Sequence, residues 1–260
     1  MTFPHYKNKH KKEPVIHPSY FVKGKMKYKT AVFVYTRALL KFLIKFLDAK
    51  FMPYSRNKFN SFGLYESKKY KLLIVHLPIG SPVTSVATDE LIASGVKRFI
   101  IFGFAGSLRD DIPYGNIVLC SKSLRDEGSS YHYVGPGTYA YPTKLKDKVE
   151  SIMRKEGIKF YVGPSWTIDT PYMETKEEVE YYAKKGILTV EMESSSMFSV
   201  VNRRNHEGYR LEAVAIFIIS DLVTKSKDEY TFIRFPAHYK KYNIKDRVFE
   251  IANVIKKLQK

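Results

Sequence analysis

Between Gly186 and Phe198 the chain reads Gly-Ile-Leu-Thr-Val-Glu-Met-Glu-Ser-Ser-Ser-Met-Phe, and no other stretch restricts the possible folds as much. A β-branched run stops at Val190 and gives way to two glutamates around a methionine. Three serines follow, then Met197-Phe198-Ser199-Val200-Val201. The pattern predicts a strand that ends at Val190 and a helix packed tightly on the sheet, because small side chains at the junction let the two backbones approach. In an open α/β sheet, ligands bind outside the carboxyl ends of the strands. Two carboxylates at such a place are costly to bury without partners. An ionised carboxylate only accepts hydrogen bonds, so the neighbouring hydroxyls of a polyhydroxyl ligand suit it. From the residues alone, a surface turn with solvated glutamates fits about equally well.

The rest of the chain alternates apolar runs with helical patterns. Thr30 to Tyr35, Tyr70 to Leu77, Arg98 to Phe102, Ile117 to Cys120 and Ala213 to Ile219 read as strands. Thr36 to Lys50, Ser85 to Ser94, Leu145 to Glu156 and Lys176 to Lys185 read as helices, and Val248, Ile251, Ile255 and Leu258 form the stripe of a last one. Pro78-Ile79-Gly80-Ser81-Pro82 reads as a turn. Gly103-Phe104-Ala105-Gly106-Ser107 reads as a glycine-rich loop after the third strand, where backbone can approach a ligand. Such alternation predicts an α/β fold: a central mixed, twisted sheet flanked by helices.

At 260 residues and 44% hydrophobic, the chain suits one domain. Residues 1–14 read as a mobile basic arm and residues 15–260 as the domain. No apolar run reaches the ~18 residues of a membrane span, and no apolar segment follows the lysine-rich start, so neither a signal peptide nor a membrane association is expected. A cytoplasmic protein is the simplest reading. The single Cys120 excludes an internal disulfide and a multi-cysteine zinc site, and it reads as a small buried hydrophobe. The net charge is +18, of which residues 1–30, with eight lysines and one Glu, carry +7. Such a balance attracts polyanions. Yet no zinc-finger spacing, aromatic nucleic-acid signature or helix-turn-helix accompanies the lysines, so a nucleic-acid partner is not expected. The same positive field favours anionic substrates such as phosphate.

Val190-Glu191-Met192-Glu193 resembles the V-E-M-E segment of the nucleoside phosphorylase superfamily. Other segments follow in order. Gly95 to Leu108 is similar to the family's glycine loop, and Tyr114-Gly115-Asn116-Ile117-Val118 to its G-D-I-V strand. Arg125-Asp126-Glu127-Gly128-Ser129-Ser130-Tyr131-His132-Tyr133 resembles the R-D-E-G-T-S-Y-H-Y of a uridine-phosphorylase-like branch. Trp166-Thr167-Ile168-Asp169-Thr170-Pro171-Tyr172-Met173-Glu174-Thr175 resembles that branch's W-T-T-D-A-P-Y-R-E-T.

The resemblance implies cleavage of a nucleoside N-glycosidic bond by phosphate. Glu193 would bind the ribose 2′ and 3′ hydroxyls, and Met192 would lie under the sugar. Tyr172 and Glu191 would face the base, and Gly103 the phosphate. Ser220-Asp221 matches the S-D of purine-cleaving members, whose Asp protonates purine N7, and Arg234, 13 residues on, matches the Arg that assists it. Helix capping is the structural alternative for Asp221. By position after the first strand, Arg37 matches a phosphate-binding Arg. His17 and Arg56 match residues that reach a neighbouring subunit's ribose 5′ hydroxyl and phosphate. For these three, solvated surface residues remain the alternative. The implied assembly is a homo-oligomer, dimer or hexamer, with shared active sites. No metal or organic cofactor is implied; inorganic phosphate is the co-substrate.

Some positions depart from the family pattern. Its G-D-P turn is Phe33-Val34-Tyr35 here. Ile101 and Phe104 stand where many members have a phosphate-site Arg and Ser or Thr, and Met173 replaces the branch's base-loop Arg. Uridine phosphorolysis, hydrolysis by water and an inactive nucleoside-binding protein therefore stand as alternatives to a purine-favouring phosphorylase.

Overall fold

The structure is a computed structural model that describes residues 6–22, 24–52, 62–224 and 236–259. In chain order the elements are β1 (Thr30–Val34), α1 (Arg37–Phe46), β2 (Lys50–Met52), β3 (Gly63–Ser67), β4 (Leu72–His76), α2 (Ser81–Ala93), β5 (Arg98–Ser107), β6 (Ile117–Asp126), α3 (Ser130–Tyr133), β7 (Tyr139–Ala140), α4 (Leu145–Lys155), β8 (Phe160–Ile168), α5 (Lys176–Lys184), β9 (Thr189–Glu191), α6 (Ser194–His206), β10 (Glu212–Leu222), α7 (Pro236–Lys241) and α8 (Ile244–Lys257).

The α/β expectation holds, with a mixed ten-stranded sheet at the centre. On one side β5, β1, β4, β3 and β2 lie next to one another. β1 is parallel to both β4 and β5, while β3 is antiparallel to its neighbours. On the other side β5, β10, β6, β8 and β9 pair in turn, and β9 returns to β5, so five strands close a ring. The long strands β5 and β10 leave the open part of the sheet and continue into this ring. Register shifts at Ile219/Asp221 in β10 and Cys120/Ser123 in β6 supply the bends that closure requires.

This closure corrects two sequence readings. Gly103 to Ser107 is not a loop: it is the second half of β5, paired with β10 through Leu222. Likewise the strand expected to stop at Ile219 runs on to Leu222, which places Ser220 and Asp221 inside the carboxyl end of β10. Small residues look like turn formers in sequence, yet here the partner strand imposes extended backbone. Helix α1 stops at Phe46 instead of reaching Lys50, because Asp48 takes a left-handed φ of 48°. Helix α2 starts earlier than expected, at Ser81, with Pro82 in its first turn, where a missing N–H costs nothing.

Two apolar layers sandwich the sheet. One face packs on α2 and α6 through Phe33, Phe99, Met197, Phe198 and Phe217. The other packs on α1, α4 and α8 through Leu39, Leu43, Val149, Val248 and Ile251. Helix α6 is buried throughout its first two turns, Ser194 to Val201, so one end of it is part of the interior. The described part of the basic arm forms a 3-10 turn, Lys9–Lys11, against α3, with Lys9 Nζ 2.7 Å from His132 Nδ1. Among the described residues no helix is long and apolar enough to cross a membrane.

Candidate active site

Strand β9 ends at Glu191 and helix α6 begins at Ser194, so the Glu-Met-Glu stretch sits at a carboxyl strand end, as its sequence suggests. The two glutamates are both buried but do different things. Glu191 Oε1 accepts from Thr167 Oγ1 (2.6 Å), Ser194 Oγ (2.6 Å) and, more distantly, Ser165 Oγ (3.3 Å). Its Oε2 accepts from the backbone N–H groups of Glu193 (2.9 Å) and Ser194 (2.8 Å). These donors use up the carboxylate's acceptor sites. The geometry therefore corrects the base-facing position expected for Glu191: the group is turned into the strand–helix junction and fastens it.

Glu193 accepts two backbone bonds, from Gly80 N–H to Oε1 (2.8 Å) and from Met192 N–H to Oε2 (3.3 Å). Burial and the charge on Glu191 push its carboxyl up to about 8. Burial raises Glu191 too, but its larger set of donors favours the charge there, so at neutral pH the pair holds one charge and Glu193 carries the proton. Met192 is half-buried, and its carbonyl accepts from Ser81 Oγ at 2.7 Å. The start of α2 is thereby docked on Met192 and Glu193 together.

The three serines do more than permit close approach. Ser194 Oγ donates to Glu191 and lies 2.6 Å from Ser123 Oγ. Ser195 Oγ donates to Glu127 Oε1 (2.7 Å), and Ser196 Oγ donates to the Glu193 carbonyl (2.8 Å). Glu127 also accepts the N–H groups of Ser129 and Ser130. Arg125 donates to Ser130 Oγ and to the carbonyls of Val134, Gly135 and Gly137. The Arg-Asp-Glu-Gly signature thus holds the loop around α3 against α6.

Asp221 reaches the same region from β10. It pairs in register with Gly106 of β5, and Gly106 pairs with Val190 of β9. Asp221 thus stands two strands across from the Glu-Met-Glu stretch, buried, with Oδ1 accepting from Ser220 Oγ at 2.6 Å. It caps no helix. A Cβ at Gly106 would lie 2.9 Å from Asp221 Oδ2 and 3.1 Å from Val190 Cγ1, so the glycine is what allows the carboxyl to lie against β5. Glu174, before α5, is a neighbour: burial, then the charges of Asp221 and Glu178, push it up to about 7.

The other expected residues spread out. Arg37 is the first residue of α1 and exposed; burial, and after it the Arg37 charge, lowers His76 at the end of β4. Gly103 lies inside β5 beside Phe217. His17 caps the 3-10 turn Pro18–Tyr20, accepting from Ser19 N–H, and that turn packs on α2. Tyr172 is 100% exposed, so within this chain its ring covers nothing. Arg56 and Arg234 lie outside the described residues. Ile101 is buried in the core, and Phe104 stacks on Tyr239 with ring centroids 6.5 Å apart. Neither side chain offers a donor.

Sequence reasoning missed Gly80 and Ser81, which bond Glu193 and Met192, and Thr84 and Tyr35 behind Gly80. The Pro-Ile-Gly-Ser-Pro turn was the available signal, since a glycine directly before a helix with Pro in its first turn marks an N-terminus. Its partner lies 113 residues on, and no local pattern shows that. Among the described residues, no group of three or more His, Cys, Asp or Glu side chains could hold a metal ion.

A family model described as the Phosphorylase superfamily matches residues 29–246, and the chain belongs to that superfamily. It is 32% identical over 182 residues to a DeoD-type purine nucleoside phosphorylase of Caldanaerobacter subterraneus subsp. tengcongensis, covering 68% of this chain and 75% of that protein. A guanosine phosphorylase of Halorubrum lacusprofundi is 29% identical over 138 residues, covering 51% of this chain and 56% of that protein. Among solved structures, uridine phosphorylase from Vibrio fischeri ES114 superposes with a TM-score of 0.72 at 21% identity, covering 91% of this chain and 93% of that one. AMP nucleosidase from Bacteroides thetaiotaomicron does so with a TM-score of 0.64 at 16% identity, covering 87% and 89%. At these identities the two structural likenesses show the shared fold.

Proposed function

We propose that the chain is a nucleoside phosphorylase that cleaves the N-glycosidic bond of a purine-favoured nucleoside with phosphate, giving free base and ribose 1-phosphate. The observation that carries this reading is the buried Glu193 carboxyl at the end of β9, held by only two backbone N–H groups while Glu191 beside it is satisfied. Glu193 has acceptor capacity left for a pair of sugar hydroxyls. Its carboxylate form accepts both hydroxyls, so binding releases the proton to solvent and places negative charge near an oxocarbenium-like sugar. Phosphate attacks C1′ as the bond to the base breaks. Asp221, assisted by Arg234, supplies a proton to the leaving base, which a purine takes at N7. Arg37 and a neighbour's Arg56 attract phosphate, the planar fork of guanidinium matching its oxygens. His17 and Arg56 reach across a homo-oligomer interface, so the active unit is at least a dimer. Tyr172 faces the base only if that assembly, or closure on substrate, covers it. The reaction needs no metal or organic cofactor, and the enzyme acts in the cytoplasm.

One observation favours a second reading. Phe33, Ile101 and Phe104 offer no side-chain donor where phosphate would sit, which suits hydrolysis by water. Turnover of inosine, adenosine and uridine with and without phosphate separates the two. The proposed function expects phosphate-dependent release of purine base, and loss of ~10²–10³ in rate for Glu193→Gln. It also expects Asp221→Asn to slow purine nucleosides most. Equal turnover without phosphate overturns phosphorolysis. Better turnover of uridine than of either purine nucleoside overturns the base preference, and a folded Glu193→Gln at wild-type rate overturns the ribose assignment.

A further inference from the structure

The residue after the first strand, where this chain departs from the family's G-D-P turn, is a buried tyrosine. Tyr35 is 8% exposed, and its hydroxyl lies 3.0 Å from Thr84 Oγ1 in α2. A threonine hydroxyl has one proton to give, and Thr84 gives its own to the Gly80 carbonyl at 3.0 Å. Tyr35 must therefore donate and Thr84 accept. The direction of the chain is fixed: Tyr35 hydroxyl to Thr84 hydroxyl to Gly80 carbonyl. The same carbonyl also takes the Thr84 backbone N–H at 3.2 Å.

Gly80 is the point of leverage. Its φ of 122° and ψ of 156° belong to a region that is essentially glycine-only, and its N–H is the closer of the two donors on Glu193, at 2.8 Å. A residue held in a sparsely populated conformation keeps it only while its surroundings over-determine it. The bonds from Thr84, one of them set by Tyr35, do that here. Burial and the negative charge held by the Glu193–Glu191 pair raise the Tyr35 phenol far above its ordinary range, so it remains a neutral donor at any working pH.

We propose that Tyr35, acting through Thr84 and Gly80, is a positioning residue that aims the Glu193 carboxyl at the 2′-hydroxyl of a ribonucleoside and so sets the preference for ribose over 2′-deoxyribose. This rests on the ribose-binding role proposed above for Glu193. Tyr35→Phe removes the last donor of the chain while keeping the ring in the core. Thr84 keeps its bond to the Gly80 carbonyl but loses the donor that fixes its hydroxyl, so its hold on Gly80 loosens and Glu193 meets the sugar in a less favourable geometry. A substrate that uses the 2′-hydroxyl contact suffers, and one that lacks the hydroxyl suffers much less.

The test compares kcat/KM for inosine and 2′-deoxyinosine, with phosphate, in wild type, Tyr35→Phe, Thr84→Val and Thr84→Ser, with binding of both nucleosides measured by calorimetry and thermal unfolding followed alongside. The expected result is a fall in the ribo-to-deoxy ratio of roughly three- to tenfold for Tyr35→Phe and Thr84→Val, the worth of one hydrogen bond. Thr84→Ser, which keeps the hydroxyl, should recover most of it. A change in stability that slows both substrates by the same factor overturns the positioning role, as does an unchanged ratio in a folded Tyr35→Phe. A wild type that neither cleaves nor binds either nucleoside overturns the functional reading, and this role with it.

Discussion

Replacing Glu193 by glutamine should change how stability depends on pH. In the folded chain this carboxyl is buried beside Glu191 and held up to about 8 against an ordinary 4.5. The folded state therefore binds the proton more tightly than the unfolded state does. Its contribution to stability is fully present below about pH 4.5 and is lost as pH rises through about 8. Each tenfold difference in proton affinity is worth about 1.4 kcal/mol, so the loss across that window is of the order of 5 kcal/mol. It belongs to the coupled pair and not to one carboxyl. Glutamine has the shape of the protonated acid and does not titrate. Glu193→Gln should gain on wild type steadily between pH 5 and pH 8.5, by a few kcal/mol in urea unfolding. In a chain this size each kcal/mol is roughly 2 °C of Tm. Other titrating groups, Glu174 and the histidines included, are common to both proteins and cancel in the difference. Parallel stability curves for the two proteins from pH 5 to 8.5 would refute the reasoning, since the proton would then not reside on this pair.

Three further outcomes can be checked with simple variants. Gly106→Ala puts a Cβ 2.9 Å from both Asp221 Oδ2 and Val223 Cγ1; it should cost about 1–3 kcal/mol of overpacking in urea unfolding and displace Asp221, lowering purine-nucleoside kcat in the protein that remains folded. Asp89 accepts from Arg204 Nε (2.8 Å) and from the Tyr133 hydroxyl (2.9 Å), with both charged side chains nearly buried. Asp89→Leu should therefore destabilise by roughly 3–5 kcal/mol in chemical denaturation, and a loss under 1 kcal/mol would count against the pair's burial. Burial pushes the Cys120 thiol up to about 12, so the native protein should not react with a thiol reagent at pH 8, while one equivalent should react in denaturant.

The Glu-Met-Glu junction was legible in the sequence because its signals are local. A β-branched run, a stop at two carboxylates and a run of small residues specify strand, turn and helix within thirteen positions, and the structure places β9 and α6 there. The alternation of apolar runs likewise determined the α/β class, since strand and helix periods are properties of neighbouring residues. The chain order also determined that Asp221 lies at the far end of a core strand. The roles of the two glutamates were not legible. Both are Glu in sequence, and only the tertiary structure decided that Thr167 and Ser194 satisfy the first while Gly80 leaves the second available. The same holds for the segment from Gly103 to Ser107, which small residues mark as a loop but β10 makes a strand. Closure of β5, β10, β6, β8 and β9 into a ring depends on pairings between residues as far apart as Arg98 and Glu212, and no spacing rule encodes those. Tyr35 shows the limit most plainly: its own neighbours describe a buried aromatic after a strand, and only the approach of α2 turns its hydroxyl into part of the support for Glu193. Local chemistry sets which residues can do the work, and long-range hydrogen bonding, which the sequence encodes only through the whole fold, decides which of them do.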